Sequence, residues 1–232
     1  MLYAVLKPPA VLLMRLIFRM RRFGHRHVPR RGPVLLVANH SSVLDPPLIA
    51  GMTPRPVTFL AKAELFEVPV FGGLIRRLGA RPLRRDGGDP AALRTALRLL
   101  EEGRVLLVFP EGSRGPEGSL RPAKPGAGML AVLSGAPVIP VYISGTGRAW
   151  PRDRRWPRPA RVTVRFGEPV QVPRADAARR KDSYEAASRA MMAAIARLKD
   201  AEDRARSASP RELGAAIDGV GAGGASTPSN HT

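Results

Sequence analysis

The sequence contains no cysteine, so neither a disulfide framework nor a thiolate metal site can form. Histidine is scarce as well: there are four, and His231 lies in a polar tail. No clustered histidine metal site is expected, although carboxylate ligation stays open. Aromatic residues make up only 5% of the chain and are not interleaved with basic ones, so there are no stacking platforms for exposed bases, and nucleic acid is not an expected partner. No apolar run reaches the roughly 18 residues that a membrane span needs, because Lys7, Pro8, Pro9 and Arg15 interrupt the amino-terminal one. The most pointed absence is acidic: no Asp or Glu precedes Asp45. What is present in excess is positive charge, 38 Lys plus Arg against 19 Asp plus Glu, a net +19. That balance favours an anionic surface, partner or substrate.

At 232 residues the chain fits one domain of ordinary size. Met1 to Arg31 carries Lys7 and seven arginines. Around "VLLMRLIFRM", Arg15, Arg19 and Arg22 fall at i, i+4 and i+7, a cationic stripe on an apolar body if the segment is helical. The first reading is a helix lying in a membrane interface, with its apolar face in lipid and its arginines on anionic headgroups. A terminal helix docked on the domain is the alternative; a cleaved signal is disfavoured because no small-x-small site follows. The expected organisation is an interfacial segment over 1–31, a folded domain over 32–200 and a disordered Ser/Gly/Ala/Pro tail over 201–232.

Between these ends, short apolar runs alternate with helical patterns. "PVLLVA" predicts a buried strand over Val34–Ala38, "PVTFLA" a second from Pro56, "ARPLRR" a short one over Ala80–Arg84 and "RVLLVF" another over Val105–Phe109. "PVIPVYI" and "RVTVRFG" supply two more. The helices are "AALRTALRLLEE" after Asp89-Pro90, "GAGMLAVLS" after Pro125, and "KDSYEAASRAMMAAIARLK", opened by Asp182. The alternation indicates an α/β layer arrangement with a largely buried sheet. "RGPVLLVANH" and "EGRVLLVFPEG" each feed a VLLV strand into a polar turn. Ligands of open α/β sheets gather at the carboxyl ends of strands, so both turns can face one cleft. The Pro/Arg-rich "RAWPRDRRWPRPAR" over Arg148–Arg161 reads as a surface loop facing a membrane or acidic partner, or as a solvated excursion.

"NHSSVLDP" places His40 and Asp45 five positions apart at the exit of the first core strand. That spacing does not share a helix face, so the two side chains meet only if "SSVLDP" curls back into a first helical turn. Asp45 would then hold one imidazole nitrogen and leave the other free to take a proton; otherwise the pair merely caps a turn. Ser41 and Ser42 would orient that turn. "FPEGSRG" puts Glu111, Gly112, Ser113 and Arg114 beyond a second strand, a set able to offer N–H groups, a hydroxyl and a guanidinium to an anion. Lys62, Arg84 and Arg85 follow two other strands and add positive charge.

Taken together, these stretches resemble the glycerolipid acyltransferases typified by 1-acylglycerol-3-phosphate acyltransferase. "NHSSVLDP" resembles the family's His-x4-Asp block, and "KAELFEVPVFGGLIRRLGARPLRR" its next block, with Lys62, Pro69, Gly72 and Arg85 in place. "FPEGSRG" resembles the glutamate-glycine block, with Ser113 where threonine is commoner. "KPGAGMLA", "APVIPVYI" and "FGEPV" are similar to the remaining blocks, so the likeness runs from about Gly32 to Val170. Arg84, where an acidic residue is frequent, and the basic 148–161 loop depart from the pattern.

The resemblance implies a glycerolipid acyltransferase-like α/β fold, with a mixed sheet flanked by helices and preceded by an amphipathic helix. It implies acyl transfer from acyl-CoA or acyl carrier protein to a lysophospholipid hydroxyl, with no cofactor and no metal. His40 and Asp45 would be catalytic. Lys62, Arg85, Glu111, Gly112, Ser113 and Arg114 would bind substrate, and an N–H near Gly112 or Ile139 would serve the oxyanion. Membrane lipid, a lysophospholipid acceptor and acyl carrier protein are the expected partners. The expected place is peripheral or monotopic on the cytoplasmic side of the cell membrane.

Overall fold

The structure, a computed structural model, describes residues 12–67, 69, 72–73, 76, 79–83, 90–173 and 180–208. Among these the strands are β1 (Arg21–Phe23), β2 (Val34–Ala38), β3 (Val57–Lys62), β4 (Ala80–Leu83), β5 (Val105–Val108), β6 (Val138–Ser144) and β7 (Thr163–Phe166). The helices are α1 (residues 12–17), α2 (Asp45–Met52), α3 (Pro90–Glu101), α4 (Pro125–Ser134), α5 (Thr146–Ala149) and α6 (Arg180–Ala208).

Every residue of β2 is buried, and its period-two side chains divide the core. Val34, Leu36 and Ala38 join Leu48 and Ile49 of α2 on one face. Leu35 and Val37 join Leu99, Leu130, Met191 and Ile195 of α3, α4 and α6 on the other. Cover on both faces is why the run is continuously apolar rather than alternating. A slip of one residue would send each side chain into the wrong layer, which fixes the register.

The strands form one sheet in the order β1-β7-β6-β2-β5-β3-β4. β2 through β6 run parallel; β7 is antiparallel to β6, and β1 is parallel to β7. This is the expected mixed, helix-flanked sheet. β2 and β5 are neighbours, with Val34 opposite Val105 and Leu36 opposite Leu107, so the two VLLV strands deliver their polar turns side by side at one rim.

The amino terminus differs from its sequence pattern. α1 ends at Ile17, Phe18 turns into the core, and Arg19 adopts a left-handed backbone with φ of 39°. Arg21–Phe23 then pair with Thr163–Arg165, and Arg22 donates to the Met52 carbonyl at 3.3 Å. The helical stripe expected through Arg15, Arg19 and Arg22 therefore does not form, because sheet pairing captures the last of the three. At the other end, α6 continues to Ala208, past the Ala201 where a disordered tail was expected. Glu202 on that extension is buried against the sheet. Residues 1–11 and 209–232 lie outside the described residues.

Candidate active site

β2 leaves the sheet through Asn39, whose side-chain amide donates to the Ile143 carbonyl at 2.9 Å and whose oxygen accepts the Ile143 N–H at 2.8 Å. That pair of hydrogen bonds to β6 fixes where the next residue begins. The backbone of His40 is then held on both sides: its N–H donates to Glu111 Oε1 at 3.1 Å, and its carbonyl accepts the Gly115 N–H at 2.7 Å. Its ring stacks on Phe109, centroids 4.0 Å apart and 19° from parallel. Nδ1 lies 2.7 Å from Asp45 Oδ2.

Asp45 opens α2 in a first turn that also contains Pro46, where a carboxylate is favoured by the helix dipole. It is fully buried. Oδ2 also accepts the N–H groups of Ser41 at 2.7 Å and Ser42 at 2.8 Å, so one oxygen gathers the whole turn. With Asp45 ionised, the imidazole carries its proton on Nδ1 and Nε2 is left as an acceptor. The curl needed to bring positions 40 and 45 together is present.

Glu111 sits at the exit of β5 and is nearly fully buried. One oxygen takes the His40 N–H; the other takes the N–H and Nε of Arg121, at 3.2 and 3.3 Å. It ties the second polar turn to the first. Gly112 makes the bend within the second turn with φ of +72°, and its N–H is bonded to the Phe109 carbonyl. The carbonyl and hydroxyl of Ser113 both accept from Arg121. Ile139 is the second residue of β6, paired with Leu36 and fully buried, so it lies toward the strand end away from the rim and contributes no N–H there.

Beside His40 lies a cleft of about 440 Å³, lined by Ser41, Arg114, Gly115, Glu117, Arg121 and Arg152 among others. The Glu117 oxygens accept the N–H groups of Gly145 at 2.5 Å and Gly147 at 2.7 Å. Gly145 has φ of +92°, and a Cβ there would lie 2.1 Å from the Arg161 carbonyl oxygen; only glycine fits this turn. The turn presents Thr146, whose Oγ1 is 3.0 Å from Ser41 Oγ. Because Glu117 is spent on backbone, neither Arg114 nor Arg152 has a carboxylate partner at ion-pair distance among the described residues. Burial pushes the Arg114 guanidinium below its ordinary value, Arg152 adds to the effect and Asp45 opposes it. Crowded cations of this kind favour a bound anion.

Of the residues singled out by sequence, the structure gathers His40, Asp45, Glu111, Gly112, Ser113 and Arg114 at one rim. Lys62 ends β3, but its side chain, Arg84 and Arg85 lie outside what is described. Arg152 belongs to the loop expected to face outward, yet it lines the cleft and donates to the Arg114 carbonyl. Asn39, Phe109, Glu117 and Arg121 were not singled out, because their partners are distant in sequence and a lone Glu or Arg near glycine and proline carries no local signal. Among the described residues no group of three or more His, Asp or Glu could hold a metal ion.

Comparison with known proteins bears on the family and the fold. The family model described as "Acyltransferase" matches residues 19–144, more than half of the chain. The 1-acyl-sn-glycerol-3-phosphate acyltransferase of Limnanthes alba is 32% identical over 154 residues, covering 64% of this chain and 53% of that protein. The lyso-ornithine lipid O-acyltransferase of Pseudomonas aeruginosa is 39% identical over 136 residues, covering 58% and 51%. The crystal structure of the 1-acyl-sn-glycerophosphate (LPA) acyltransferase of Thermotoga maritima matches with a TM-score of 0.66 and 30% identity, over 85% of this chain and 78% of that one. The chain spans about half the length of the first curated relatives it matches. With the matched region beginning before β1 and ending at the close of β6, the chain belongs to the acyltransferase family.

Proposed function

We propose that the protein transfers a fatty acyl group from acyl-CoA or acyl carrier protein to the free hydroxyl of 1-acylglycerol 3-phosphate, forming phosphatidic acid. The observation that carries this reading is the 2.7 Å contact between His40 Nδ1 and the buried Asp45, set beside a cleft lined by Arg114, Arg121 and Arg152. His40 Nε2 takes the hydroxyl proton as the oxygen attacks the thioester carbonyl, and Asp45 stabilises the imidazolium that results. The tetrahedral adduct collapses, the C–S bond breaks, and the imidazolium returns its proton to the departing thiolate. No acyl-enzyme is needed.

Positioning is the larger task. Arg114, with Arg152 beside it, binds the acceptor phosphate through paired charge-assisted hydrogen bonds, and Arg85 and Lys62 add to that charge. Glu111 acts through Arg121 and the His40 backbone, while Gly112 and Ser113 shape the turn. The exposed leucines of α1 enter the membrane interface on the cytoplasmic side, where both thioester donors are found; among the described residues no helix is long and apolar enough to cross a membrane.

A second reading, favoured by the 39% identity to a lyso-ornithine lipid O-acyltransferase, keeps the chemistry and exchanges the acceptor. One assay separates the two: the purified chain is given a panel of lyso-lipids with each donor, and the products are weighed by mass spectrometry. Phosphatidic acid as the main product supports the first reading. Product from lyso-ornithine lipid alone replaces it with the second, and no thioester-dependent product with any acceptor leaves a lipid-binding protein.

A further inference from the structure

A separate cleft of about 290 Å³ lies at the β1–β7 edge, lined by Arg21, Phe23, Arg161, Arg165, Glu202 and Arg206 among others. Four guanidiniums face a single carboxylate. Glu202 is buried, and its two oxygens accept from Arg165 Nε at 2.7 Å and Arg206 Nε at 2.8 Å. Burial opposes its ionisation, but hydrogen bonds from Arg206, Arg165 and Thr163 outweigh it and hold the carboxyl below its usual range. Arg165 also lies over the Phe23 ring at 4.3 Å, and Arg206 gives a terminal nitrogen to Ser144 Oγ at 3.0 Å. These contacts fix two guanidinium planes while leaving both terminal nitrogens of Arg165 and one of Arg206 without an acceptor among the described residues. Arg21 and Arg161 are exposed and have no ion-pair partner there. Fixed guanidiniums with spare donors match a phosphate group.

The rim of the cleft selects among phosphates. Phe23 is 42% exposed, and α1, three residues before β1, exposes Leu12, Leu13, Leu16 and Ile17 by 40–69%. Apolar surface beside a cationic pocket suits a lipid, whose acyl region adjoins its phosphate; a soluble nucleotide has no use for it. The location has a further consequence. β7 is antiparallel to β6 and Arg21 pairs with Thr163, so Arg21, Arg161 and Thr163 stand at the rim where β2, β5 and β6 end. Ser144, which Arg206 holds, is two residues from Thr146, the partner of Ser41.

We propose that Arg21, Arg161, Arg165 and Arg206 bind the phosphate headgroup of an anionic phospholipid in the bilayer, so that the rim carrying His40 is turned toward the membrane. The site concerns bilayer lipid and does not depend on which acceptor is acylated, or on acylation at all.

Sedimentation of the full chain with mixed phosphatidylcholine–phosphatidylglycerol vesicles, without acyl donor, tests it. R21Q/R161Q is expected to lower vesicle affinity about thirtyfold, from the ordinary contribution of a basic residue at an anionic surface. R26Q/R30Q removes the same charge from exposed positions outside the cleft and is expected to stay within about threefold of wild type. Inorganic phosphate or coenzyme A at constant ionic strength should not release the wild-type chain. Equal losses in the two double variants would mean diffuse charge and overturn the site, as would unchanged binding of R21Q/R161Q. Release by either soluble competitor would reassign the cleft to a soluble phosphate. Thermal melting checks folding; should the double variant unfold, R161Q alone is expected to lose about fivefold.

Discussion

The cleft beside His40 and the β1–β7 cleft occupy one rim of one sheet, yet they use their carboxylates differently. Beside His40, Asp45 gathers the N–H groups of Ser41 and Ser42, Glu111 takes those of His40 and Arg121, and Glu117 takes those of Gly145 and Gly147. Negative charge there is absorbed largely by backbone, which organises the turns and leaves Arg114 and Arg152 without a carboxylate partner among the described residues. At the β1–β7 edge, Glu202 is bonded to side chains and orients two guanidiniums. A carboxylate on amides builds a loop; one between arginines aims cations. For Glu202, hydrogen bonding outweighs the desolvation that burial imposes.

The two clefts differ most in what their anchoring residues do. His40→Ala is expected to lower kcat by about 1,000-fold or more while leaving the melting temperature nearly unchanged, because Glu111 and Gly115 hold the backbone of that residue rather than its ring. Survival of thioester-dependent turnover in the purified variant would remove His40 from the chemistry. Glu202→Gln should do the reverse, costing about 3 kcal/mol of stability with little change in turnover per folded molecule, as read by urea unfolding and a parallel activity assay. The sign with pH follows from the lowered carboxyl. The Glu202 contribution is complete above the unfolded-state pKa and is lost as pH falls through the depressed folded value. Wild type and E202Q should therefore converge in acid; a gap that persists there would count against the ion-pair account.

Two smaller effects sharpen the contrast. Leu16→Glu, at a position 69% exposed, is expected to weaken vesicle sedimentation about tenfold or more without altering melting, and unchanged sedimentation would detach α1 from the membrane. Arg152→Gln should raise KM about tenfold for a phosphate-bearing acceptor and leave a phosphate-free one unaffected. Equal changes for both acceptors would make Arg152 a structural residue of its loop.

Much of the fold is legible in the chain because burial on both faces of a parallel strand writes itself as runs such as Val34–Ala38 and Val105–Val108. β1 was not legible: "RRF" has no strand periodicity and becomes a strand only because β7 supplies the pairing edge. The extension of α6 beyond Lys199 was hidden in the same way, since Glu202 reads as a solvent residue until Arg165, 37 positions earlier, is brought against it.

At the site, the parts closed by local geometry are already written in the chain. A strand exit, two serines and a helix-opening Asp45 lie within one turn of chain, so His40 and Asp45 could meet without help from elsewhere. The tertiary structure alone decided what the two polar turns share: Glu111 joined to His40, Glu117 closing the Gly145 turn, and Arg152 brought beside Arg114. Those contacts cross 28 to 71 residues of chain, and no local periodicity encodes a charge pairing whose distance is set by strand order.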